Sequence, residues 1–225
     1  VHNFQTQRYT RDGNILDILI NGSTLFDEDD TPLGHVLILR DITGQKREEQ
    51  SRQAMFRISK ALHSFRDLRG LIAYINREIK QLAGVEGSFI LLADPGENQL
   101  FFYAARFRDS LSDQKFKTIR FPADQGVSGR AFTTQKPILV PDVSQCDFYY
   151  QRVSDETDLV TRNMLSVPIQ LKDRTIGVIS VVNKAGGGFD DTDIEMLTTV
   201  AATIALPIEN ARIHEALQQS HRELK

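Results

Sequence analysis

The side chains able to do chemistry are unevenly placed in this 225-residue sequence. Its histidines are His2, His35, His63, His214 and His221, and none falls between Gly84 and Asn210. A nucleophilic serine or cysteine needs a base within hydrogen-bond reach, so that interval holds no Ser-His or Cys-His pair. Cys146 is the one cysteine; it can build neither a disulfide framework nor a cysteine zinc cluster. It reads as a small apolar residue in a reducing compartment, the cytoplasm. Gly186-Gly187-Gly188 lacks the strand, glycine spacing and lysine of a nucleotide phosphate loop and reads as a flexible turn. No catalytic residue and no metal ligand is assigned. The polar and aromatic segment Pro141 to Thr157 has no clean period and reads as a long loop on the ligand side of its domain.

The elements that must position such a loop divide into two modest domains, since one core usually serves about 100–150 residues. A net charge of −3, with Lys and Arg scattered, leaves no electrostatic footprint for nucleic acid or an anionic membrane. No apolar run approaches the roughly 18–20 residues that span a bilayer, and no secretory segment opens the chain. The strand pattern is already under way at Val1 and a helical pattern is still running at Lys225, so a fragment of a longer protein is expected.

Asn3 to Tyr9 alternates up to the turn signal Arg11-Asp12-Gly13-Asn14, Ile15 to Phe26 alternates again, and Gly34 to Ile42 gives a third strand. Three strands cannot enclose a core, so a covering layer upstream is expected. These residues resemble the last three strands of a PAS domain, whose strands commonly end in Asp-Ile-Thr, here Asp41-Ile42-Thr43. The resemblance assigns 1–43 to the C-terminal part of that domain and places any PAS ligand site mostly outside this chain. A connecting helix follows over 44–66, with the narrow stripe Met55, Ile58, Leu62 and Phe65; its seam is expected to meet a partner chain. Leu68, Leu71, Ile72, Ile75, Ile79 and Leu82 continue the helical period until Gly84.

Beyond Gly84 the apolar runs Gly87 to Ala93, Gln99 to Phe107, Phe116 to Phe121, Pro137 to Val140, Leu165 to Leu171 and Ile176 to Val182 read as strands, with a short helix from Gly126 closing near Gln135. Asp190 or Asp191 is expected to cap a long final helix. The segments Gly126-Val127-Ser128-Gly129-Arg130-Ala131, Val140-Pro141-Asp142-Val143, Thr161 to Ile169 and Ile176 to Lys184 resemble those of a GAF domain, over 67–213. The resemblance implies an α+β fold: a six-stranded antiparallel sheet, helices on one face making dimer contacts, and a small-molecule pocket on the other. It implies ligand binding or signal relay rather than catalysis, in a bacterial sensor whose output domain follows Lys225.

The same resemblance supplies the candidate ligands. In cyclic-nucleotide-binding members the pocket positions fall on Ser88, Val127, Ser128, Tyr150, Ser154 and Thr157, with cAMP or cGMP held by a helix start and an aromatic cover. Departures stand at Ser154, where some members carry aspartate, and at Asp158, where glycine is usual. Haem is disfavoured because the core has no histidine, and a bilin because Asp147 follows Cys146. Asn183, Lys184, Phe189 and Asp193 match the family signature and read as a junction between sheet and exit helix, with Lys184 and Asp193 as an ion pair. Ser220-His221-Arg222-Glu223-Leu224 has the wrong order for a histidine-kinase phosphoacceptor site and reads as a solvated helix face. The exit helix is expected to pass into a coiled coil over 214–225, kinked near Thr203 to Pro207. A homodimer paired through 45–66 and 191–225 is expected, with a small ligand or a ligand-free dimerisation scaffold both open.

Overall fold

The computed structural model describes residues 2–11, 15–62, 68–94, 96–107, 115–157, 159–186 and 188–223, with backbone alone at 62 and 214–223. The expected turn at Asp12-Gly13-Asn14 and the helix position of Phe65 lie outside these residues, as does Asp158. The chain divides into two compact units, Val1–Gln53 and Ala54–Lys225.

In the first unit, β1 (Phe4–Tyr9), β2 (Ile15–Phe26) and β3 (Pro32–Asp41) form an antiparallel sheet in the order β1-β2-β3. Its apolar side chains are left largely in solvent, Leu33, Leu37, Ile38 and Leu39 of β3 among them. The Asp41-Ile42-Thr43 signature is a junction. Thr43 N–H donates to Asp41 Oδ1 at 2.8 Å, Asp17 N–H donates to Thr43 Oγ1 at 2.8 Å, and Lys46 Nζ reaches Asp17 Oδ1 at 2.9 Å. These bonds turn the end of β3 directly into α1 (Thr43–Leu62). The Lys46 ammonium holds the Asp17 carboxyl below the usual carboxylate range, and the bonds from Thr43 do the same for Asp41.

The second unit is built on a six-stranded antiparallel sheet in the order β6-β5-β4-β9-β8-β7. Its strands are β4 (Val85–Asp94), β5 (Gln99–Arg106), β6 (Arg120–Pro122), β7 (Ile138–Val140), β8 (Met164–Leu171) and β9 (Arg174–Lys184). Its helices are α2 (Leu68–Ala83), α3 (Gly126–Thr134), α4 (Arg152–Thr157) and α5 (Asp191–Glu223). Two apolar clusters form because strand side chains alternate between faces. Ile90, Leu92, Leu165, Val167 and Val181 join α2 and α5 in one; Phe89, Leu91, Phe102, Val178 and Val182 join the cavity-side elements in the other. β9, sealed on both faces, allows no side chain where it crosses β4: a Cβ on Gly177 would stand 2.3 Å from the Leu91 carbonyl oxygen.

Two expectations are corrected. The strand foreseen over Phe116 to Phe121 is shorter, because Phe116 lies in a helical turn and is fully buried, 4.8 Å from the ring centroid of Phe89 and 5.1 Å from that of Phe102. Of the α1 seam foreseen for a partner chain, the described part packs on the unit's own core: Ile58 is buried with Ala61 in the cluster of α2, and Met55 packs against it. Arg57 adds an ion pair to buried Glu78 at 2.8 Å. Pro207 lies inside α5, which runs on through it beside the buried Ile204, Ala205 and Ile208.

Ile58→Ala is expected to destabilise the second unit by about 2–5 kcal/mol in urea unfolding, and Phe56→Ala, 70% exposed, by under about 0.5 kcal/mol. Equal effects would refute the assignment of α1's second half to this core. At the β3–α1 junction, Asp17 and Asp41 have depressed folded pKa values. Their contribution is therefore full above the unfolded value near pH 4 and lost as pH falls through the folded values. Amide exchange at Ile42 and Thr43 should accelerate, beyond its intrinsic pH trend, only in that acid range; acceleration between pH 5 and 7 would assign the junction to other groups.

Candidate functional site

Opposite the α2–α5 layer, the sheet, α3 and residues 146–157 enclose a cavity of about 50 Å³. Its walls are largely apolar and carry the rings of Phe89, Phe102, Phe116, Phe121, Tyr149 and Tyr150. Phe89 and Phe102 meet edge to face at 5.6 Å, and Tyr150 lies 5.6 Å from the Phe121 ring. The loop can close this tightly because Gly126, the first residue of α3, has φ +72 and no side chain; a Cβ there would stand 2.9 Å from the Tyr150 Cβ. One turn on, a Cβ on Gly129 would meet the Asp124 carbonyl carbon at 2.6 Å, so glycine lets α3 fold back on the turn before it. The loop is fastened outside the cavity as well, by Asp142 capping Ser144 N–H at 2.9 Å and by Arg130 lying 4.4 Å over the Phe148 ring. The bonds from Ser144 hold the Asp142 carboxyl below the ordinary range.

Of the residues assigned to ligand binding, Val127, Ser128 and Tyr150 line this cavity. Ser88 does not. On β4 it shares the parity of Ile90 and Leu92, and its Oγ donates to the Asn76 carbonyl of α2 at 2.9 Å, on the other side of the sheet. Ser154 and Thr157 are also absent from the described lining. Ser154 Oγ lies 2.6 Å from Tyr149 Oη, and Thr157 Oγ1 donates to the Val153 carbonyl at 2.6 Å, so both hold α4 and its loop in shape. Cys146, partly exposed, is absent from the described lining, and no described residue in that lining is charged at neutral pH. Among the described residues no three His, Cys, Asp or Glu side chains gather as a metal site.

Sequence reasoning missed two further hydroxyl residues of the lining, Ser180 and Thr161. Ser180 of β9 bonds Ser128 at 2.9 Å and Ser166 at 2.8 Å, a chain of three buried hydroxyls. Thr161 lines the cavity with a buried Oγ1 that has no hydrogen-bond partner. The period-2 pattern of β8 and β9 would have shown that Ser166 and Ser180 share the face of Val178 and Val182. Nothing in the sequence marks Thr161, since an orphaned hydroxyl is a property of the packing around it.

The junction residues meet as expected and make more bonds than expected. Asn183, at φ +60, accepts from Arg162 N–H at 2.7 Å and donates to the Val160 carbonyl at 2.7 Å and to Glu86 Oε2 at 3.0 Å. Lys184 Nζ meets Asp193 Oδ2 at 2.5 Å, with side chains only 14% and 8% exposed. Asp190, not Asp191, caps α5: Asp193 N–H donates to Asp190 Oδ1 at 3.1 Å and Asp190 N–H to Asp193 Oδ2 at 2.9 Å. This is a capping box, and Phe189 and Ile194 flank it as a hydrophobic staple on the helix-side cluster. The Ser220–Leu224 face and the coiled coil beyond 214 fall on side chains outside the described set.

A family model described as a GAF domain matches residues 66–209. The chain is 22% identical over 188 residues to a probable 3',5'-cyclic phosphodiesterase pde-5 of Caenorhabditis elegans, covering 79% of this chain and 26% of that protein. It is 25% identical over 174 residues to a Nif-specific regulatory protein of Azospirillum brasilense, covering 75% and 27%. The chain thus spans about a quarter of the length of these relatives. Among solved structures, the GAF domain of a phosphoenolpyruvate-protein phosphotransferase from Coxiella burnetii aligns with a TM-score of 0.67 at 15% identity, covering 75% of this chain and 98% of that one.

Asn183→Asp keeps the acceptor for Arg162 but loses both donated bonds and sets a second carboxylate against Glu86. A loss of about 2–4 kcal/mol is expected at pH 7. The new carboxyl's folded pKa is raised by that repulsion, so the loss should shrink as pH falls toward 4. A pH-independent loss in chemical denaturation would remove Glu86 from the junction.

Proposed function

The chain belongs to the GAF domain family through residues 66–209, and from that membership we propose that it is a non-catalytic sensory region of a signal-transduction protein, which takes a small ligand beneath residues 146–157 and passes the bound state to α5. One observation carries this reading. Thr161 and Ser180 line the cavity; Asn183, on the strand that carries Ser180, bonds the backbone on both sides of Thr161 at Val160 and Arg162; Lys184 then grips Asp193 in the first turn of α5. A change at the cavity wall reaches the exit helix through consecutive residues, and coupling of this kind needs a contiguous element with two arrangements. Non-catalysis is supported by the uncharged described lining, which offers no imidazole, thiol or carboxyl to a bound molecule.

The rest of the architecture follows as proposal. Residues 1–43 are read as the C-terminal part of a PAS domain on the strength of their order and the Asp41-Ile42-Thr43 junction. Leu206 and Ile213, one heptad apart on α5 and 56% and 52% exposed, supply a seam for a homodimer. The lone cysteine suits a reducing cytoplasm. Likeness to the nematode phosphodiesterase supports a cyclic nucleotide as ligand. A ligand-free scaffold is favoured instead by the size of the cavity, which is small beside the roughly 300–1,000 Å³ of ordinary ligand clefts.

Tyr150→Ala removes a wall ring without touching α5. Under the sensory reading, amide exchange at Asp193 and Ile194 rises about tenfold in this variant, and adding Asn183→Ala abolishes the response. Exchange changes confined to 146–157 would favour the scaffold. Light scattering tests the seam: a strict monomer at high micromolar concentration rejects it.

A further inference from the structure

We propose that the cavity takes a compact, uncharged aromatic molecule bearing a hydroxyl or carbonyl, which displaces the Tyr150 ring from Phe121 and hydrogen-bonds Thr161 Oγ1; this rests on the sensory reading of the same site. Charge is the first constraint. No described lining residue carries charge at neutral pH, so an anion such as a cyclic phosphate would lose its hydration among phenylalanine rings with no cation to replace it. The start of α3 offers backbone N–H groups, but the Gly126 backbone there is already covered by Tyr150.

Polarity is the second constraint. Ser128, Ser180 and Ser166 satisfy one another at 2.9 and 2.8 Å, whereas Thr161, which also lines the cavity, has a buried Oγ1 without a partner. A buried hydroxyl left in that state offers a hydrogen bond to a water or to a ligand group that enters beside it. One such group on the ligand suffices, and the remaining surface must suit phenyl walls. Size is the third constraint. At about 50 Å³ the closed cavity is smaller than the roughly 150 Å³ that holds benzene, so a ring enters only where a ring leaves. Tyr150 is that ring: it belongs to the covering loop rather than the sheet, and its contact with Phe121 at 5.6 Å is one that a ligand ring can reproduce.

Thermal shift and calorimetry on the 225-residue chain with phenol, toluene, benzoate, phenyl phosphate, cAMP and cGMP test the class. Phenol is expected to raise the melting temperature and to bind more tightly than toluene, and the four anions to do neither. Thr161→Val keeps the shape and removes the orphan, so the unliganded variant should melt no lower than the parent. Its phenol affinity should fall about tenfold while toluene binding stays unchanged. Binding of any anion as tightly as phenol overturns the ligand class and leaves the sensory reading standing. Equal loss of phenol and toluene in Thr161→Val overturns the role of Thr161. Failure of all six probes overturns this proposal together with a ligand-taking cavity, and leaves the scaffold.

Discussion

The carboxamide of Asn183 is the constraint on which the second unit's organisation turns. A residue at φ +60 stands one position before the end of β9, and that left-handed step points its side chain across the sheet end to Arg162, Val160 and Glu86. Asparagine tolerates this conformation better than most residues and supplies both an acceptor and two donors, which an aspartate or leucine cannot. Because two of the three bonds go to backbone, they fix the path of the chain into β8 and not merely the position of a side chain. Lys184, the next residue, is thereby delivered to Asp193, and the long exit helix starts where that ion pair and the Asp190 cap put it.

β9 must work through its ends because its faces are closed. Helices cover one, phenylalanines the other, and the backbone at Gly177 passes so near Leu91 that no side chain intervenes. An element packed this closely transmits displacement along its length better than it absorbs it. The cavity is a place on that unit where a buried hydroxyl, that of Thr161, lacks a partner, and it lies against the same strand. Proximity of the gap and the junction on one rigid element makes a sensory role physically economical.

Much of this was legible from residue order. Strand alternation, the glycine-led start of α3, the Gln135 end of that helix and the Asn183–Asp193 junction all rest on short-range rules that act the same way in any fold. The errors share a different cause. Ser88 was placed by resemblance and not by the parity of β4, which sets it beside Ile90 on the helix side. Ser154 and Thr157, absent from the lining, spend their hydroxyls on bonds within their own loop and helix. Met55 and Ile58 formed a stripe too narrow to look like core, yet α2 lies close enough to bury it. Thr161 carried no signal at all, since its interest lies in what surrounds it.

Cys146 gains an unforeseen use from its place in the fold. It is the chain's single thiol, partly exposed, and it opens the segment that closes over the cavity. A maleimide dye or spin label attached there would ride on the cover itself, with no cysteine to engineer in or remove. The native sequence thus brings its own reporter for the motion that distinguishes a receptor from a scaffold.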